Sequence, residues 1–217
     1  MLESRKKSIG LDIADRSIAL VLLRQAKTGL EVSSRARVSF PAGIVERGRI
    51  KDEQRLAAAL RELFTKASLD PVAEQTEITF GLPESQVYFH IFDAPAQKPE
   101  EREELVRQEA MSNIPLAVDD LIYSHSVLSE EGGKSQIILL AASRKVVFSW
   151  YKFFRDQRLN VLDLFDVEPL AARRGLLMDI PKLPVCIVDI GAVTSGIDIF
   201  DSQGLRYTYS ILVAGDA

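Results

Sequence analysis

The stretch VCIVDIGAVTSGIDIF, residues 185–200, decides how the rest of the chain is read. Four apolar residues run into Asp189, and Ile190, Gly191, Ala192, Val193, Thr194 and Ser195 follow before a second β-like run. This order predicts strand, tight turn, strand, with a carboxylate at the strand tip. Backbone N–H groups in such a turn point into one concavity, and a nest of that kind suits phosphate oxygens. Gly191 and Ala192 leave room for close approach, and Thr194 and Ser195 add hydroxyl donors. A strand-tip carboxylate repels bare phosphate, but it can hold the hydrated shell of Mg2+, which keeps several waters and binds through few carboxylates. The plainer alternative is an ordinary hairpin turn.

A second stretch has the same plan at the other end of the chain. IGLDIADRSIALVLL, residues 9–23, runs from an apolar strand into Asp12, passes Ala14, Asp15, Arg16 and Ser17, and returns as another apolar strand. Two such hairpins facing each other would clamp a polyphosphate, with Asp12 and Asp189 sharing a metal. A third element is DVEPLAARRGLL, residues 166–177, where Glu168 ends a short strand and Pro169 opens a helix. A glutamate at that junction can position or activate a water beside the metal. It can also simply complement the positive end of the helix dipole.

Composition narrows the classes. The 217 residues carry a net charge of −4, with 47% hydrophobic and 27% charged, ordinary for a globular protein. Nothing is basic enough for a nucleic-acid footprint. No apolar run approaches the ~20 residues that a membrane-spanning helix needs, and the start shows no secretion signal. The single cysteine, Cys186, falls in an apolar run and is expected to be a buried, inert thiol in a cytosolic setting.

Strands are expected at 8–14, 17–25, 30–40, 77–83, 87–95, 120–129, 135–142 and 161–167, besides the quoted pair. In the third, Val32, Ser34, Ala36 and Val38 should share one face. Helices are expected from Asp52 as N-cap, from Pro99 to about Asn113, from about Ser143 to Gln157, and from Pro169. The first carries a stripe of Leu56, Leu60, Leu63, Phe64 and Ala67, the second one of Leu105, Val106, Ala110 and Ile114, and the third one of Val147, Trp150, Tyr151 and Phe154. Residues 87–160 therefore read as an inserted α+β subdomain, and 1–86 with 161–217 as a discontinuous main domain.

Other suggestive residues have plainer readings. His90 and His125 sit in alternating strands without a partner at metal-ligand spacing. The acidic run 100–104 suits a helix N-terminus, although its outer side could meet a basic peptide. The basic and aromatic segment 144–158 fits packing better than membrane contact.

Asp12-Ile-Ala14, Glu168-Pro-Leu-Ala and Asp189-Ile-Gly191-Ala-Val-Thr194-Ser195, taken in order, resemble the two phosphate loops and first connecting helix of the sugar kinase, heat-shock chaperone and actin superfamily. More narrowly, the chain resembles the PilM-like proteins of type IV pilus assembly, relatives of the division protein FtsA. Residues 41–64, the glutamate-rich helix with its Ile114-Pro115 break, and residues 139–171 carry that resemblance further. It implies an α/β actin-like (ribonuclease H-like) ATPase lobe, a mixed sheet with flanking helices, and the inserted subdomain. It implies ATP and Mg2+ as ligands. The contacts would be Asp12, Ala14, Asp15, Arg16, Ser17, Asp189, Gly191, Ala192, Val193, Thr194 and Ser195, and Asp12, Glu168 and Asp189 would act on the phosphates, metal and water.

It also implies a scaffold at the cytoplasmic side of the inner membrane, held there by the N-terminal tail of a PilN-like membrane protein, and open to self-association. A cytoplasmic domain of type II secretion, an FtsA-like division protein and an active small-molecule kinase or ATPase are the alternatives. Two departures stand out. Ala14, Asp15 and Arg16 replace the small residues usual in the first loop, and the chain stops where the family continues into a second lobe. Only the first lobe is expected, with weak nucleotide affinity.

Overall fold

Residues 8–27, 29–72, 76–95, 98–161, 166–177, 179–213 and 215 are described in the computed structural model of the chain. In chain order the elements are β1 (Ser8–Ile13), β2 (Ser17–Ala26), β3 (Gly29–Ser39), β4 (Val45–Glu46), β5 (Arg49–Ile50), α1 (Glu53–Ala67), β6 (Glu77–Leu82), β7 (Val87–Pro95) and α2 (Pro99–Asn113). There follow β8 (Leu121–Glu131), β9 (Lys134–Ser143), α3 (Arg144–Asp156), β10 (Asn160–Val161), β11 (Asp166–Val167), α4 (Glu168–Leu176), β12 (Val185–Ile190), β13 (Ser195–Asp201) and β14 (Gly204–Ile211). They form two units, Met1–Pro83 with Val147–Glu168, and Glu84–Val146 with Pro169–Ala217.

The first unit is built on a mixed sheet in the order β10-β6-β1-β2-β3, with β11 also paired to β6. β1 runs antiparallel to β2 and parallel to β6, and both β10 and β11 run parallel to β6. Side chains alternate along a strand, so Ile9, Leu11 and Ile13 share a face with Leu22, Leu20 and Ile18, and all six are buried. Phe80 lies beside Leu11 on that face. α1 packs against β2 and β3 there, and Ser34 Oγ donates to the Ala67 carbonyl at 2.9 Å. Asp52 is the N-cap, accepting the Arg55 N–H at 2.9 Å, and the expected stripe of α1 is buried throughout. Trp150 of α3 meets Phe80 with ring centroids 4.8 Å apart, and its Nε1–H donates to the Gly48 carbonyl at 2.9 Å. Gly48 sits in the two-residue β4–β5 turn, where Arg47 and Gly48 both have positive φ, as a type I′ hairpin requires.

The second unit holds two three-stranded antiparallel sheets, β7-β9-β8 and β12-β13-β14. α2 covers one face of the first sheet through Val106, Ala110 and Ile114 against Leu121, Ile137 and Leu139. The opposite face supplies Ile138, which packs with Ile187, Phe200 and Leu205 of the second sheet. Gly132 and Gly133, both at positive φ, close the β8–β9 hairpin. His90 and His125 lie opposite Leu139 from either side in the register. Each meets a glutamate of α2, Glu109 at 3.1 Å and Glu103 at 3.8 Å.

Several expectations are corrected. The units do not follow the boundaries 1–86, 87–160 and 161–217: from Val147 onward α3 belongs to the first unit, because Trp150 and Phe154 pack on Phe80, and β12–β14 join the second through Ile138. The strand expected at 161–167 is represented by β10 and β11, and residues 162–165 lie outside those described. Val32 does not share a face with Ser34: the register shifts between Leu22 and Leu23, so Val32 faces Leu23 and is exposed. Phe153 is buried where Tyr151 was expected, and Tyr151 is 41% exposed. Cys186 is exposed, because the buried face of β12 is the one carrying Ile187. Among the described residues no helix is long and apolar enough to cross a membrane.

Asp120 joins the start of α3 to the strand before it. Its carboxylate accepts the Lys145 N–H at 3.0 Å and the Ser143 hydroxyl at 2.8 Å. These bonds, the backbone one first, lower its pKa below the ordinary 3.8. The stabilisation is therefore complete above pH 3.8 and is lost as pH falls through the lowered value. Thermal melts of Asp120→Ala should show reduced stability at neutral pH and a shallower loss on acidification than the parent.

Candidate functional site

The C-terminal ends of the parallel strands in the first unit lie side by side, the usual position for ligands in open α/β sheets. Leu11 pairs with Phe80, so one step further the register sets Asp12 beside Gly81. Both fall on the face opposite the buried one. On β6's other side Asp166 pairs with Gly81 and Val167 with Leu82, which delivers Glu168 to the same level. A Cβ on Gly81 would lie 3.5 Å from Glu168 Cγ. Glu168 therefore lies over Gly81 at ordinary van der Waals distance. Asp12 is exposed because its neighbours Leu11 and Ile13 take the core face, and Glu168 is half-exposed at the first turn of α4. The register brings Asp12 and Glu168 to one end of one sheet; Gly81 went unnoticed in the sequence, where only its place near a strand end could have flagged it.

The turn after β1 is more self-contained than a phosphate loop needs to be. The Ala14 N–H donates to the Ser17 carbonyl at 2.9 Å, and the Arg16 carbonyl accepts the Phe40 N–H at 2.9 Å. Asp15 Oδ1 accepts the Gly48 N–H at 3.4 Å, so the turn holds the β4–β5 hairpin that Trp150 grips from its other side. Ser17 is buried, and its hydroxyl accepts from Arg37 Nη2 at 2.9 Å. These bonds give Asp15 and Ser17 structural work in addition to the ligand role expected of them.

The second hairpin lies wholly in the second unit. Asp189 is exposed near the end of β12, opposite Gly196, and residues 191–194 are half-buried. The Gly191 N–H donates to the Thr194 carbonyl at 2.9 Å, and the Gly191 carbonyl accepts the Gly215 N–H at 3.0 Å. Ser195 is buried and its hydroxyl donates to the Val213 carbonyl at 2.6 Å. The turn is therefore preformed by its own bonds.

Asp198 is a further acid of this hairpin that the sequence reading passed over. It lies opposite Ile187, on the same face as Asp189, and is only 5% exposed. Burial raises its pKa; a hydrogen bond from Thr208 pulls it down and the charge of Asp189 adds to the rise. Its signal was an aspartate inside the apolar run Gly196-Ile-Asp198-Ile-Phe200. Among the described residues no group of three or more His, Cys, Asp or Glu is placed to hold a metal ion directly.

The fold is that of an actin-like ATPase lobe, a mixed α/β sheet with helices packed on it. The chain matches a solved PilM–PilN type IV pilus biogenesis complex with a TM-score of 0.83 at 21% identity, over 97% of its own length and 63% of that chain's. It matches the cytoplasmic domain of EpsL, an inner-membrane component of the Vibrio cholerae type II secretion system, with a TM-score of 0.59 at 13% identity, over 95% of its length and 71% of that chain's. It matches the ethanolamine utilization protein EutJ of Carboxydothermus hydrogenoformans with a TM-score of 0.53 at 18% identity, over 97% of its length and 53% of that chain's. No curated protein matches in sequence. The model of one family, described as type IV pilus assembly protein PilM, matches residues 10–215, and the chain belongs to that family.

The two glycines of the second hairpin should respond differently to a methyl group. A Cβ on Gly191 would stand 2.8 Å from the Thr194 carbonyl oxygen, whereas one on Gly196 would meet nothing within 4 Å. Urea titrations should find Gly191→Ala destabilised by about 1–3 kcal/mol through overpacking, and Gly196→Ala unchanged or slightly stabilised.

Proposed function

We propose that the chain is an actin-like scaffold of type IV pilus assembly that binds Mg-ATP and the N-terminal tail of a PilN-like inner-membrane protein, at the cytoplasmic side of that membrane. The observation that carries this reading is the family match over residues 10–215. The likeness to a PilM solved with PilN supports it at the level of fold. The chain spans 63% of the length of that PilM, so the activity and partners of a whole PilM are part of the proposal.

Asp12 and Glu168 in the first unit, and Asp189 with residues 191–195 in the second, are the proposed nucleotide-facing groups. Asp12 and Asp189 are exposed strand-end carboxylates, and such oxygens suit a cation that keeps most of its own waters. When bound, Mg2+ would neutralise phosphate charge. In this reading Glu168, at the first turn of α4, orients a water. The internally bonded Ala14 N–H leaves the first loop one donor fewer for phosphate, so weak binding is expected, with efficient turnover no part of the role.

Calorimetry with Mg-ATP tests the nucleotide half. Asp189→Ala should weaken Mg-dependent binding about tenfold or more with an unchanged melting temperature; unaltered affinity would remove Asp189 from the site. For the scaffold half, a labelled peptide copying the cytoplasmic N-terminus of a PilN-like protein should bind in fluorescence anisotropy with saturation. A flat titration across the micromolar range would overturn the partner assignment.

A further inference from the structure

β3 ends the mixed sheet of the first unit, and among the described residues no strand pairs with its outer side. An edge strand presents backbone N–H and C=O groups that another chain can pair with. This edge is long, 11 residues, where strands usually have about 5–6. The register shift that sets Val32 opposite Leu23 leaves Ser33 with no residue opposite it. The strand thus divides into Gly29–Val32 and Ser34–Ser39. In the second part the two faces differ sharply. Ser34, Ala36 and Val38 are buried or half-buried on the face that α1 covers, and Arg35 and Arg37 are exposed on the outer face.

The charges on this edge select what can cover it. Arg37 Nη2 donates to the Ser17 hydroxyl at 2.9 Å, which leaves most of its N–H groups for other acceptors. The strand's one acid, Glu31, is held by Arg24 at 2.8 Å on the opposite face. The outer face of β3 therefore carries two positive charges one strand repeat apart, followed by Val32 and Leu30, which are 57% and 67% exposed. A second copy of the chain that continued the sheet by pairing β3 with β3 would keep outer face beside outer face. The two antiparallel registers that pair most of Ser34–Ser39 then set Arg35 opposite Arg37, or Arg37 opposite itself. Like charges directly opposite destabilise a sheet. A strand with carboxylates at alternate positions meets the same arginines with opposite charge.

We propose that β3 is a docking edge for an acidic, extended segment of a partner protein, which adds a strand beside Ser34–Ser39. Main-chain bonds to the edge supply affinity, and alternate carboxylates on Arg35 and Arg37 set register and selectivity. Arg37 lies beside Ala19, and Ala19 beside Asp12, so the edge is two strands away from Asp12. The docking edge is independent of whether the chain binds nucleotide or a PilN-like tail.

The probe is a fluorescein-labelled peptide of about eight residues that alternates glutamate with threonine, beside a second peptide with lysine in place of glutamate. In fluorescence anisotropy at low salt, the full chain should saturate with the acidic peptide and bind the lysine peptide at least about tenfold more weakly. The double variant Arg35→Glu, Arg37→Glu should invert that preference. Only every second N–H of an added strand faces its neighbour. Of two acidic peptides N-methylated at alternate residues, one should therefore lose binding and the other keep it. No binding of the acidic peptide to the parent, binding that survives the charge reversal, or equal effects of the two methylation patterns would each overturn the proposal. Self-association of the parent that blocks the acidic peptide would assign the edge to a second copy and overturn it as well. Should the double variant fail to fold, the methylated pair decides on the parent alone.

Discussion

Everything proposed for the first unit depends on one alternation. Ile9, Leu11 and Ile13 are pinned to the buried face by Phe80, Leu20 and the helices behind them. A strand that sends these three inward must send Gly10 and Asp12 outward. Slipping β1 by one residue would bury the carboxylate and expose three large apolar side chains, so the register is strongly fixed. The parallel pairing to β6 then carries the same level across the sheet to Gly81 and Glu168. The core places the acids without touching them.

The second unit obeys the same logic with a different result. Its β12-β13-β14 sheet turns Ile187, Phe200 and Leu205 inward, and Asp189 and Asp198 lie on that face too. Asp189 escapes burial by sitting toward the strand end. Asp198 does not, and is tolerated because Thr208 reaches it from the neighbouring strand. On the other face Val188, Ile190, Tyr207 and Tyr209 are more than half exposed, a broad apolar surface for three short strands. Their alternation was regular enough to predict strands, but it gives no warning of which apolar face is the bare one.

Much of the local structure was legible. The N-cap at Asp52, the stripe of α1, the opening of α2 at Pro99 and the paired hairpins all follow from spacing and residue type, and the structure has them. The misses have a common origin in packing between elements. Phe153 and Tyr151 are both aromatic residues on α3, and the neighbours of α3, rather than its periodicity, bury the first and leave the second exposed. Val32 left its expected face because a bulge absorbed one residue of β3. The unit boundaries moved because Trp150 found its hydrogen-bond acceptor at Gly48, more than ninety residues earlier in the chain.

By itself the sequence determined the actin-like order of elements and the two acid-tipped hairpins, and with them the family, because strand alternation, turn chemistry and helix stripes are local properties. It could name Asp12, Glu168 and Asp189 as chemically unusual positions. Only the tertiary structure decided that Glu168 lies over Gly81, that Ser17 accepts from Arg37 and Ser195 donates to Val213, and that Glu84 and Asp198 meet at Thr208. Those pairings join residues between 10 and 124 positions apart, and no local pattern records which distant partner a side chain will reach once the core has closed.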